Sequence, residues 1–258
     1  MNSEGGPPAV SPPAEAHPMS LRHLLLLGLA CWLTGLAHAQ QTLLIAAGAG
    51  YRKPVLELAE LFAKDSGWRV EAAFGNMKQV QTQAEQNPEV ALMVGDEEFL
   101  RPMGLFERYV PLGEGRLVLV AARGVQLKQV QDLKDSRFRR IGVPDRRQAV
   151  YGRAAFTCMQ RQGLLDALAP KLLEVATVPH VGTYLVTGEV DAGFVNKTEA
   201  QAIEARVGDA LELPLACHDP IRLSVGVLRG RADSPAARAF LDFVQSSMAR
   251  AVLQRHGL

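Results

Sequence analysis

Thr42–Phe74, TLLIAAGAGYRKPVLELAELFAKDSGWRVEAAF, is the stretch whose reading decides the fold. TLLIAA (Thr42 to Ala47) is an apolar run of strand length, and Gly48-Ala49-Gly50 turns the chain. Pro54 opens a predicted helix in which Val55, Leu58, Ala59, Phe62 and Ala63 keep 3.6-residue spacing up to Gly67. WRVEAAF (Trp68 to Phe74) then reads as a second strand. Strand, helix and strand in succession form a βαβ unit, whose two strands run parallel because a helical crossover returns the chain to the same edge.

The same rhythm continues outward. Gly75-Asn76 turns into an amphipathic helix from Met77 to about Glu85, and VALMVG (Val90 to Gly95) is a third strand. RLVLVAA (Arg116 to Ala122), IGVPD (Ile141 to Asp145), a helix through AAFTCMQRQGLL, a short VATV segment and GEVDAGFVN (Gly188 to Asn196) follow. RLSVGVL (Arg222 to Leu228) resembles RLVLVAA, and a predicted C-terminal helix runs from Ser234 to His256. The class is α/β. Two crossings between lobes are predicted, with residues 40–118 and 224–258 in lobe 1, 119–223 in lobe 2, and a cleft between them.

Upstream, Arg22 and His23, the apolar run LLLLGLACWLTGLA and Ala37-His38-Ala39 follow the order of a cleavable export signal. Residues 1–39 are therefore predicted to be leader and signal, with the mature chain starting at Gln40 in the periplasm. The run is shorter than the ~20 apolar residues of a spanning helix, so the product is not expected to be membrane-embedded. Cys31 lies within that run.

Lys and Arg total 28 against 27 Asp and Glu, a net charge of +1 without basic or acidic blocks, which speaks against nucleic acid or an anionic membrane as partner. Aromatics make up only 6 %, a poor basis for an all-β carbohydrate binder. Cys158 and Cys217 are the cysteines of the mature chain. An oxidising compartment permits a disulfide between them, and two small buried hydrophobes is the other reading. No G-x-S-x-G, H-E-x-x-H or Walker pattern is present, and the adjacent Cys217 and His218 point apart on a strand. The chain reads as a binder rather than an enzyme, with no cofactor.

Three predicted strand-to-helix junctions, Gly48 to Tyr51, Gly75 to Lys78 and Tyr151-Gly152, are Gly- or Asn-containing turns. Helix N-termini carry unpaired N–H groups and partial positive charge, so several of them aimed at one cleft form an anion site. Each junction alone needs a small residue merely to turn tightly.

IAAGAGYRKPVLELAELFAKDSG, VEAAFGNMKQVQTQ, IGVPDRRQAVYGRAA, LLDALAPKL and GEVDAGFVNKTEA together resemble, in order and spacing, the periplasmic molybdate-binding proteins of ABC importers. The resemblance implies a two-lobed type II periplasmic-binding-protein fold, mixed sheets flanked by helices, two hinge crossings, a monomer, one solute in the cleft and a permease as partner. It also implies an oxyanion held by two serine hydroxyls, a tyrosine hydroxyl and backbone amides. In this sequence Gly50 and Met77 stand where the serines are expected, and Asn196 stands for the tyrosine. Tyr151 occupies a position usually small, Gly152 is kept, and Val178 matches a residue that donates its backbone N–H. Tyr51, Asn76, Lys78 and His180 complete the expected ligand-binding set. Thioether, imidazole and phenol groups suit transition metals, so a metal or metal complex held by Met77 and His180 is the alternative ligand. Lys78 and Arg52 favour an anion.

Overall fold

The computed structural model describes Thr42–Leu258, so the export-signal reading lies outside the described residues. Along the chain the elements are β1 (Thr42–Gly48), α1 (Arg52–Ser66), β2 (Arg69–Gly75), α2 (Met77–Gln86), β3 (Val90–Asp96), α3 (Glu97–Leu100), β4 (Phe106–Gly115), β5 (Leu117–Ala121) and β6 (Ile141–Pro144). They continue with α4 (Val150–Arg161), α5 (Leu165–Leu168), β7 (Leu172–Val175), α6 (Val178–Thr187), β8 (Ala192–Asn196), α7 (Lys197–Ile203), β9 (Ala210–Glu212), β10 (Ile221–Leu228), α8 (Pro235–Phe243) and α9 (Ser247–Arg255).

Two five-stranded sheets result, ordered β2-β1-β3-β10-β4 and β7-β6-β8-β5-β9. In the first, β1 runs parallel to β2 and β3, while β10 is antiparallel to β3 and β4. In the second, β6 runs parallel to β7 and β8, and β5 is antiparallel to β8 and β9. Each sheet thus has a three-stranded parallel βαβαβ body extended by two strands, the inner one antiparallel to the body and the outer one antiparallel to the inner. The fold is two mixed sheets flanked by helices, as the sequence predicts.

A strand hydrogen-bonds as a unit within one sheet, and this fixes where the chain changes halves. It crosses outward at Arg116, between β4 and β5, and returns between Glu212 and Ile221. The expected boundaries 118/119 and 223/224 fall inside β5 and β10. Cys158 on α4 and Cys217 on the return segment form a disulfide with Cα atoms 4.5 Å apart.

Local chemistry sets the element ends. α1 stops at Gly67, whose φ of 74° lets its N–H reach Ala63 O at 2.9 Å. α2 starts on a capping box in which Asn76 Oδ1 accepts the Gln79 N–H and Gln79 Oε1 accepts the Asn76 N–H, both at 2.9 Å. The C-terminal helix predicted as continuous is two, because Ser246 adopts an extended conformation and caps α9 by accepting the Ala249 N–H at 3.2 Å. β4 escaped the sequence reading: it is an edge strand with Pro111 and a mixed polar pattern, tolerated where no neighbour needs the missing N–H. One contiguous apolar core passes through both halves, from Leu92 and Val225 to Leu119 and Phe194. Among the described residues no helix is long and apolar enough to cross a membrane.

Candidate functional site

Four strand-to-helix junctions, two from each half, meet at a single small cavity. The first half contributes the turn Gly48–Tyr51 between β1 and α1, and Gly75–Met77 between β2 and α2. The second contributes Ala149–Tyr151 at the start of α4, and Thr177 with Val178 at the start of α6. All four lie at the carboxyl ends of parallel strands, the position where open α/β sheets bind ligands. About 20 Å³ is open to the centre of a water-sized sphere, a little more than one water requires, so the cavity suits a compact ion of few atoms.

No residue lining it carries a formal charge. Its positive potential comes from the helix N-termini, each equivalent to about half a unit charge. In α4 the N–H groups of Val150, Tyr151 and Gly152 have no carbonyl one turn earlier in the helix to accept them, and the same holds for Val178 and His180 in α6. Pro179 has no N–H.

Tyr51 is 1 % exposed and Tyr151 2 %, and their rings stand 6.1 Å apart at 59°. Neither hydroxyl has a hydrogen-bond partner. Burial, the leading cause in both cases, pushes both phenol pKa values well above the ordinary range, so both groups remain protonated donors. Thr177 occupies the N-cap of α6, yet its side chain makes no capping bond. Its hydroxyl is a third donor on the wall.

Of the predicted site residues, Gly50, Tyr51, Asn76, Met77, Tyr151 and Val178 line this cavity. Met77 is 1 % exposed, and its N–H donates across the halves to Gln148 O at 2.7 Å. Asn196 is engaged elsewhere: Oδ1 accepts the Glu199 N–H at 3.0 Å, and Nδ2 donates to Gly50 O at 2.8 Å. A Cβ on residue 50 would sit 3.2 Å from that Nδ2, so the glycine and the asparagine fit one another. Gly152 lies behind the wall, where a Cβ would come within 2.1 Å of Asp145 O, and its role is close packing of α4 against the end of β6.

Two predicted residues are not brought in. Lys78 is exposed and faces an outer groove with Phe99, Met103 and Arg147, while His180 is exposed on α6. The inward stripe of α2 is Met77, Val80 and Ala84, and that of α6 is Val178, Val181 and Leu185, which turns the intervening side chains outward. The Met77–His180 pair is therefore not assembled at the cavity, and the described residues hold no cluster of three or more His, Cys, Asp or Glu placed to bind a metal. Arg52 is also exposed, stacked 4.9 Å over the Phe74 ring. The sequence reading missed Thr177, although a Thr directly before Val-Pro is a helix-start signal.

The family described as bacterial extracellular solute-binding protein matches residues 43–258. The molybdate-binding protein ModA of Rhodobacter capsulatus is 26 % identical over 239 residues, covering 90 % of this chain and 92 % of its own length. ModA of Azotobacter vinelandii is 27 % identical over 242 residues, covering 90 % and 96 %. The solved periplasmic molybdate-binding protein of Azotobacter vinelandii has a similar fold, with a TM-score of 0.77 at 22 % identity over 83 % of this chain and 97 % of that one. With the family covering nearly all the described residues, this chain belongs to the bacterial extracellular solute-binding proteins.

Proposed function

We propose that this protein captures a small oxyanion of the molybdate or tungstate type in the cavity between its halves and delivers it, as a periplasmic monomer, to the permease of an ABC importer. One observation carries the reading: four helix N-termini converge on a compact cavity whose lining has no charged side chain and includes two tyrosines with buried, unpartnered hydroxyls. Such a wall offers donors only to something that accepts hydrogen bonds on several sides, which is the property of an oxyanion. A metal cation would meet the positive ends of the helices. The two relatives that share about a quarter of their residues with this chain are molybdate-binding proteins, which supports the same ligand class. Delivery to the periplasm is supported by the signal-like order of residues 22–39.

The test is a thermal-shift and calorimetry panel on protein stripped of ligand, with molybdate, tungstate, sulfate and phosphate set against cuprous and divalent metal ions. A ligand that binds only the native state raises the melting temperature by mass action. Molybdate or tungstate should stabilise the protein with one-to-one stoichiometry. Stabilisation by metal ions alone would reject the oxyanion reading.

A further inference from the structure

Three buried side-chain polar atoms lack a hydrogen-bond partner among the described residues: the hydroxyls of Tyr51 and Tyr151, and His218 Nε2. Two of the three thus belong to residues lining one cavity, one from each half. Buried polar groups are almost always satisfied, and an orphan signals a role that the protein alone does not fulfil. On the wall of the first half, the other side chain able to donate is Asn76, whose Oδ1 is fixed by the capping box of α2 while its Nδ2 takes no part in that box. The Tyr51 hydroxyl makes no hydrogen bond of normal geometry, and the neighbouring phenol of Tyr151 is the polar group that acts on it most.

The surroundings are shaped to keep that phenol in place. Gly48 leaves room for its ring, since a Cβ there would lie 3.3 Å from Tyr51 Cδ2. Gly115 does the same for the opposing group, because a Cβ there would approach Tyr151 Oη to 2.3 Å. The Tyr51 ring stands 6.1 Å from that of Tyr151, and both residues line the cavity.

We propose that Tyr51 is the specificity-determining side chain of the first half, its phenol hydroxyl donating to the bound oxyanion in place of the serine hydroxyls absent at Gly50 and Met77. This rests on the oxyanion reading above. A phenol reaches further from the backbone than a serine hydroxyl, so the donor is supplied by the residue after the glycine, and position 50 is left free to meet Asn196. Gly48 is a positioning residue for the ring. The raised phenol pKa keeps the proton available for donation.

Tyr51→Phe removes only the hydroxyl, and sodium molybdate is the probe. Calorimetry should show affinity reduced about tenfold to a hundredfold, the loss expected of one buried hydrogen bond to a charged acceptor. The ligand-free variant should melt at the wild-type temperature or above it, because the deleted group has no partner in the protein. Titrating molybdate into wild type should perturb the near-ultraviolet tyrosine band, and Tyr51→Phe should diminish that signal. Unchanged affinity in the variant would overturn this inference while leaving the oxyanion reading intact. A variant destabilised without ligand would assign Tyr51 a structural role and also overturn it. Wild type that binds none of the four oxyanions would overturn both.

Discussion

Tyr51 and Tyr151 set the ionic character of the site at the residue scale. An ordinary tyrosine begins to ionise as the pH nears ~10, whereas burial holds both of these phenols above that range. Molybdate affinity should therefore stay level from neutral pH to about pH 11, where a phenol of ordinary pKa near ~10 would already be mostly ionised, measured by calorimetry. A decline there would mean that a phenol ionises in the normal range and that the cavity is wetter than its burial implies. Asp96 behaves differently. It is 1 % exposed, accepts the Arg222 N–H at 3.0 Å and pairs with Arg153 at 2.9 Å, yet burial outweighs both and raises its carboxyl pKa. A raised acid pKa means that the folded state holds the proton more tightly, so this group's contribution to stability falls as pH rises from its ordinary value of ~3.9 through its raised folded value. Replacing Asp96 by Asn should flatten the melting-temperature profile across that acidic window. The cavity residues Gly50, Asn76 and Val178 were legible as helix-entry positions, whereas Lys78 and His180, read from the same junctions, are exposed and do not line the cavity. The Met77, Val80, Ala84 spacing already contains the information that Lys78 points outward.

At the scale of elements, α2 depends on its first residue. Asn76 both caps the helix and lines the cavity, so Asn76→Ala should cost about 1 kcal/mol in urea unfolding and weaken molybdate binding together. A loss of stability without loss of affinity would confine Asn76 to the cap. The small cluster of Leu58, Ala249, Val252 and Leu253 fastens α9 to α1, and Leu253→Ala should destabilise by about 2 to 4 kcal/mol with affinity unchanged, since it lies outside the cavity. Parallel strands and amphipathic helices were readable because burial imposes a period on the sequence. Edge strand β4 and the three-residue β9 were not, because register shifts in the β4 pairing break its alternation of buried and exposed positions and three residues are too few to show a period.

For the whole molecule, the question is how the two halves are held together. Direct contacts bridge them: Asn196 to Gly50, Met77 to Gln148, Arg153 to Asp96, and Lys53 to Glu199 at 3.4 Å. Arg153 also stacks 3.9 Å over the Phe99 ring. Arg153→Ala should shift the ligand-free population toward open forms, enlarging the scattering radius and weakening apparent affinity in proportion to the closed fraction lost. An unchanged radius with unchanged affinity would show that this contact does not hold the halves closed. The disulfide acts on the return crossing. It ties Cys217 to α4, and Arg161 fastens the same segment by donating to Asp219 at 2.5 Å. With the cysteines separated by 59 positions in sequence, a loop-entropy estimate gives about 4 kcal/mol of stabilisation, so the Cys158→Ala, Cys217→Ala double variant should unfold at markedly lower urea.

The sequence by itself determined the α/β class, the order of most strands and the glycine-rich helix entries, because these follow from local periodicity and backbone freedom. Only the tertiary structure decided that Cys158 and Cys217 pair, that Asn196 is engaged by Gly50, that Lys78 and His180 face away, and that two phenols from separate halves meet in one cavity. Those facts depend on which residues distant in the chain are packed together, and sequence spacing does not encode that distance.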